Sequence, residues 1–282
     1  MFEFMEVLRS QDFMQNAVAI GLLASVACGV MGTYVVVRRI VFISGGISHT
    51  VLGGMGIAYY YGYNPIHGAV VCALVAALVI GCVSLRSHQY EDTIIGALWA
   101  IGMAVGIIFI YKTPGYSIDL MSYLFGNILM VERESVYLLA FLDALIILLV
   151  SLFYKRFLAV CFDEEYSQLQ GIHVVATYLL LLCLIALTVV ILIQVVGIIL
   201  VIALLTLPAA TARYYTRSLV QMMILASLLG SAFTTSGLIV SYQKNLPAGA
   251  TMIVIAGLAY VIATISKGLA SQFQGGRNKR SG

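Results

Sequence analysis

The sequence predicts an all-α integral membrane protein, a polytopic bundle of about eight or nine transmembrane helices, with the N-terminus outside and the C-terminus cytoplasmic. Three observations carry that prediction. Of 282 residues, 62% are hydrophobic and only 10% charged, against roughly a quarter charged in soluble domains. The mean hydropathy is +1.04, which leaves too few polar groups to cover a globule, so lipid must cover much of the surface. The apolar residues also fall in long runs separated by charged punctuation, without the period-2 alternation of barrel strands.

The runs lie at 14–37, 47–62, 66–85, 93–111, 135–154, 174–195, 197–212, 218–240 and 248–266. A helix that crosses the bilayer needs roughly 20 mostly apolar residues, so each run is a candidate span. The sixth and seventh merge into one stretch, where Gln194 and Gly197 suggest a break. That junction decides between eight helices and nine. Residues 1–270 are expected to form a single transmembrane domain, followed by a flexible cytoplasmic tail at 271–282. The N-terminal segment MFEFMEVLRSQDF carries acids and no basic cluster, so a cleaved signal peptide is not expected. Cys28, Cys72, Cys82, Cys161 and Cys183 lie singly in apolar runs and read as small buried side chains.

Orientation follows from the basic residues, which favour cytoplasmic loops. With nine spans and the N-terminus outside, Arg38, Arg39, Arg86, Lys155, Arg156, Arg213 and Arg217 fall inside. Lys267, Arg277, Lys279 and Arg280 join them on the tail. Only Arg9, Lys112, Arg133 and Lys244 fall outside. The basic residues thus mark topology and form no face for nucleic acid.

Two loops exceed a minimal connection. The outer one, from Lys112 to Glu134, contains DLMSYLFGNIL, which could form a short re-entrant or interfacial helix. The inner one, from Arg156 to His173, contains FDEEYSQLQGI. Asp163, Glu164 and Glu165 suit the positive end of a short helix dipole, and Gly171 could close that helix. Its residues read either as a solvated loop or as a rigid handle that docks into another protein.

The segment VRRIVFISGGISHTVLGGMGIAYY, 37–60, crowds Gly45, Gly46, Gly53, Gly54 and Gly56 into an apolar run. Small residues let helices approach closely, and paired glycines can also unwind a helix so that carbonyls face a cavity. Within that segment lies His49. An ionisable residue at membrane depth is costly and marks a functional candidate, and imidazole is a common ligand for transition metals. A lone histidine in a bundle also serves as a packing residue. Asp143, near the middle of the fifth run, needs a partner there: a metal ion, a histidine or a hydroxyl. His67, His88 and His173 are expected to be solvated. Pro208 interrupts VVGIILVIALLTLPAATAR, 195–213, where it makes a hinge or a bend. Thr234, Thr235 and Ser236 form a polar patch in the eighth run, and a short turn at Asn245–Gly249 joins the last two helices. The chain holds no GxxxxGK[ST] phosphate loop and no HExxH, so neither ATP use of its own nor zinc-protease chemistry is expected.

Taken in order, the Gly-rich ISH segment, DLMSYLFGNIL, FDEEYSQLQGI, VGIILVIALLTLPAATAR and SYQKNLPAGAT resemble the permease family of bacterial ABC importers for zinc, manganese or iron, over about residues 17 to 266. The resemblance implies a multi-pass permease subunit of the bacterial cytoplasmic (inner) membrane, not an enzyme, that imports a divalent transition-metal ion, zinc first and manganese second. It implies no permanently bound cofactor. The partners it implies are a second copy of the chain in a homodimer, a separate cytoplasmic ATPase and an extracytoplasmic metal-binding protein, with lipid around the helices. The inner loop is similar to the family's ATPase-coupling helix, which assigns that role to Phe162, Asp163, Glu164, Glu165, Tyr166, Leu169 and Gly171. His49 and Asp143 are the expected metal ligands, and Gly45, Gly46, Gly53, Gly54 and Pro208 the expected packing or gating positions. The family pattern around the histidine reads Gly-Asp-Ala-hydrophobic-Ser-His, with Pro-Gly following. Ser48 and His49 match it, whereas Gly45 stands in place of the aspartate and Gly53 in place of the proline.

The alternative is a secondary transporter of a metal ion or small solute driven by an ion gradient. Such a carrier should place a relay of acids or histidines in several helices and show an inverted repeat. Only Asp143 and His49 are present as relay candidates, and no internal repeat is visible. A membrane enzyme would need a cluster of catalytic residues at one depth, which the sequence lacks.

Overall fold

Backbone polar groups inside a bilayer must find partners within the chain, which leaves helices as the economical solution for the apolar runs. The computed structural model describes residues 7–86, 90–113, 126 and 128–278, and among these every long element is an α-helix. They are α1 (Asp12–Arg38), α2 (Val41–Tyr60), α3 (Pro65–Arg86), α4 (Glu91–Lys112), α5 (Arg133–Phe162), the short α6 (Glu164–Leu169), α7 (Val174–Val196), α8 (Ile198–Arg213), α9 (Leu219–Lys244) and α10 (Ala248–Asn278). A 3₁₀ turn, Ile128–Met130, precedes α5.

Among the described residues, eight helices are long and apolar enough to cross a membrane, and α8, with 16 residues, is the ninth apolar helix. The merged stretch is indeed broken, and at Gly197. Its φ of 79° and ψ of 161° lie in a region that essentially only glycine occupies. At the other junctions, Arg39 and Asn245 adopt the left-handed conformation and end α1 and α9. α10 continues to Asn278, and residues 279–282 lie outside the described residues. Most of DLMSYLFGNIL does too: residues 114–125 and 127, including nearly all of the expected re-entrant piece, are not described.

Two three-helix groups, α2/α3/α4 and α8/α9/α10, flank the central helices α1 and α7, and α5 closes against α1 and α7. Burial separates the helices into inner and outer ones. In α1 and α2, 67% and 72% of the apolar window is buried, against 22% in α4 and in α10. Residues on α1 and α2 are therefore the ones whose polar atoms must be accounted for by protein. Most are. Ser25, Thr33, Ser48, Thr50 and Thr188 each donate to the carbonyl four residues earlier, so their hydroxyls cost little inside the bundle.

α1 meets α9 along small side chains. A Cβ on Gly21 would touch Thr234, and one on Gly230 would lie 3.1 Å from the Ser25 Cβ. Ser25 and Thr234 also share a hydrogen bond of 3.3 Å. Without a hydrophobic driving force between helices in lipid, such small-residue contacts supply the close packing that holds the bundle together.

Candidate metal path and coupling surface

The glycine-rich helix α2 runs unbroken from Val41 to Tyr60. Its glycines accordingly act by close approach to neighbours, with no unwinding. A Cβ on Gly53 would sit 2.8 Å from the Gly102 carbonyl oxygen, and one on Gly56 2.6 Å from that of Gly106, both on α4. Gly54 faces the Gly68 carbonyl of α3. Gly46 meets the Ile95 side chain, where a Cβ would come within 2.7 Å of Cγ2. Real side chains do not reach such distances, so α2 is clamped on two sides by its lack of side chains. Gly45 is different. A Cβ there would rest at an ordinary 3.8 Å from the Trp99 ring, so the space of a small side chain is open.

His49 lies one turn beyond Gly45, on the same helical face. Its imidazole stacks on the Trp99 indole of α4, with ring centroids 4.0 Å apart and planes inclined by 9°. The ring is half-buried, and its Nδ1 is buried with no hydrogen-bond partner. The next residue fixes the register of the pair: Thr50 Oγ1 donates to Leu98 O across the helix interface at 3.1 Å, as well as to Gly46 O. Gly102 completes the clamp from α4, where a Cβ would lie 2.6 Å from Thr50 Cα.

Asp143 sits on α5, only 5% exposed, and both of its carboxylate oxygens lack a hydrogen-bond partner. His49 and Asp143 thus occupy different helices and are not hydrogen-bonded to one another. Among the described residues, no three His, Cys, Asp or Glu side chains gather into a closed metal cage. The arrangement leaves two separate polar side chains with unpartnered atoms, one on each of two helices.

Where α5 ends, the chain forms α6. Asp163 caps it by accepting a hydrogen bond from Tyr166 N at 2.9 Å. At its other end Gly171, with φ 75°, closes a Schellman motif in which Gly171 N donates to Gln168 O and Ile172 N to Ser167 O. Glu164 pairs with Arg38 at the end of α1, and the Arg38 guanidinium lies 5.0 Å above the Tyr178 ring of α7. α6 is therefore fastened to both central helices. Ser167 turns inward, while Phe162, Tyr166 and Leu169 are 70%, 55% and 87% exposed and Glu165 is also exposed. Cavities of about 440 Å³ and 610 Å³ flank the short helix on the α7 side, and Arg156, Gln170 and His173 line the first.

Pro208 is buried within α8, which continues through it. Thr234 spends its hydroxyl on α1 and on its own helix, which makes it a packing contact, and Ser236 donates to Ala232 O within its own helix. His67 and His173 are exposed, and His88 lies outside the described residues. All five cysteines are free, but only Cys28 and Cys161 are buried; Cys72 and Cys183 are partly buried, and Cys82 is exposed because its side of α3 faces outward. Trp99, Thr50, Gly102 and the Arg38–Glu164 pair were not singled out from sequence. Trp99 is the one tryptophan of the chain, lying in an otherwise unremarked apolar run, and only its apposition to His49 gives it meaning.

The model of the ABC 3 transport family matches residues 10–267. An uncharacterized membrane protein of Synechocystis sp. is 49% identical over 263 residues, 93% of this chain and 94% of that protein. The manganese transport system membrane protein MntC of Listeria monocytogenes is 37% identical over 260 residues, 92% of each chain. Among solved structures, PsaBC from Streptococcus pneumoniae in complex with Fab is 34% identical, with a TM-score of 0.83 over 93% of this chain and 94% of that one.

Proposed function

Since the chain belongs to the ABC 3 transport family and is the membrane permease subunit of an ABC metal-transport system, a transport component and not an enzyme, we propose that its cargo is manganese, with zinc second. The sequence alone had put zinc first, because a lone imidazole suits it. The relative named for manganese transport reverses that order, and the donor set is compatible. One imidazole and one carboxylate on separate helices suit an ion that accepts both nitrogen and oxygen. Family membership also sets aside the gradient-driven carrier.

The observation that carries the reading is His49: an imidazole in an inner membrane helix whose buried Nδ1 has no partner. An unsatisfied polar atom at such depth is costly, and a passing cation would satisfy His49 transiently. Asp143, with both oxygens unsatisfied, is a second station. Metal enters from an extracytoplasmic binding protein, two copies of the chain enclose the path, and two copies of a cytoplasmic ATPase drive alternating access. The exposed Phe162, Tyr166 and Leu169 on the fastened α6 form the ATPase contact, with Asp163, Glu164, Glu165 and Gly171 shaping it. The N-terminus lies outside and the tail inside, in a bacterial cytoplasmic membrane, because that arrangement puts the basic ends of α1 and α5 on the cytoplasmic side. Inward-facing movement of α6 would pull on α1 through Arg38.

The test is radioactive manganese uptake into proteoliposomes holding this chain with and without its ATPase. Uptake that needs both the ATPase and ATP supports the reading. Uptake by the chain alone along a proton gradient contradicts it.

A further inference from the structure

The stacked pair of His49 and Trp99 is unusual for its parallelism and its setting. Tyr34 with Phe157 and Tyr60 with Phe109 meet edge-on at 71°, and Tyr214 with Tyr260 lie 6.3 Å apart at 29°. Here two rings lie 4.0 Å apart at 9°, between two helices that are locked in register by the Thr50–Leu98 hydrogen bond and by glycine backbones in contact. The imidazole ring makes no hydrogen bond through its buried Nδ1, so that atom does not fix its rotation. The indole is what holds it.

We propose that Trp99 is the positioning residue of the metal path: its indole face fixes the His49 ring and stabilises that ring when it carries a cation. Two physical effects combine. Stacking restricts the imidazole to one plane, which lowers the entropy lost when a ligand bond forms. A metal-bound imidazole is also electron-poor, and an indole face attracts a positively charged partner within about 6 Å of its centroid. Metal ligands are ordinarily oriented by a hydrogen bond to the second ring nitrogen; in this chain the indole takes over that task. Gly45 lies beside the same pair, with the indole at an ordinary 3.8 Å from where its Cβ would stand.

The inference rests on the reading of His49 as a transient ligand, and the experiment separates the two. Because the chain has a single tryptophan, its fluorescence excited to the red of tyrosine absorption reports on Trp99 alone. The full chain in liposomes is titrated with manganese, and the assembled transporter is assayed for manganese uptake, as wild type, Trp99→Leu, Trp99→Phe and His49→Ala. Manganese should quench the wild-type emission saturably, and His49→Ala should abolish that saturable phase. Trp99→Leu should raise the half-saturating manganese concentration roughly tenfold or more, the scale on which loss of a ligand-orienting partner acts, while the maximal rate and membrane abundance hold. Trp99→Phe, which keeps a stackable ring, should restore transport to near wild type.

Wild-type half-saturation in Trp99→Leu, or equal loss in Trp99→Phe and Trp99→Leu, overturns the role of Trp99 while leaving manganese transport standing. If Trp99→Leu fails to accumulate, the fluorescence decides: quenching that persists in His49→Ala overturns the proposal. A wild-type transporter that moves no manganese or zinc removes the functional reading, and this inference with it.

Discussion

Two positions separate what the chain can bind from what it must bury. Asp143 is a buried carboxylate without a hydrogen bond, and such a group is retained against its own solvation cost. Asp143→Leu should therefore stabilise the folded chain, by roughly 1–3 kcal/mol, and at the same time lower manganese uptake. Thermal unfolding in detergent and an uptake assay read the two effects. A stabilised variant with full uptake would take Asp143 off the path. Gly45 gives the complementary experiment. Its site has room for a side chain, and an aspartate there would stand one turn before His49 on the same face. Gly45→Asp is expected to tighten manganese binding about tenfold, a gain of roughly 1.4 kcal/mol, and to slow turnover by holding the ion longer. Unchanged affinity would mean that position 45 does not face the ion. His49, Asp143 and Gly45 were all visible in the sequence as chemistry out of place in apolar runs. Trp99 was not, because a tryptophan in an apolar helix is ordinary until its neighbour across the helix interface is known.

Helices were the most legible level, and the reason is physical: a bilayer permits few alternatives to a continuous helix. Boundaries shifted modestly. The second span starts at Val41 and not at 47, because Ile43 and Ile47 share the buried side of a continuous helix. The fifth continues to Phe162 past Lys155 and Arg156, which reach outward from its last turns. What sequence could not resolve was whether the glycines of α2 loosen the helix or tighten its packing. That depends on the glycines opposite, Gly68, Gly102 and Gly106, on other helices. The short helix α6 was legible from its capping residues alone, Asp163 at one end and Gly171 at the other. Its fastening to α1 was not, since Arg38 and Glu164 lie far apart in the chain. Leu169→Ala and Tyr166→Ala remove exposed apolar surface, and the second also removes the hydroxyl that accepts a hydrogen bond from Gln170 Nε2 at the surface. Each should leave the chain's thermal stability within about 0.5 kcal/mol and sharply reduce ATP-driven uptake, which co-purification with the ATPase would trace to weakened docking. Normal uptake in both variants would place the docking surface elsewhere.

Across the whole molecule, the two central helices link the candidate metal path to the coupling surface. α1 packs against α5, the helix of Asp143, and ends at Arg38, which holds α6. α7 packs against α2, the helix of His49, and against α3 and α5. A displacement of α6 therefore has a route into both halves of the bundle without a continuous polar wire, by moving packed helices as units. Two candidate ligands held apart on separate helices fit the proposed mechanism, because a conduit must release what it binds. Its central claim is that His49 handles the transported ion. The most direct measurement is the manganese and zinc content of metal-starved cells lacking this protein, restored with wild-type or His49→Ala copies of equal membrane abundance. The account predicts that manganese falls without the protein, recovers with the wild type and stays low with His49→Ala. Full recovery with His49→Ala would contradict it.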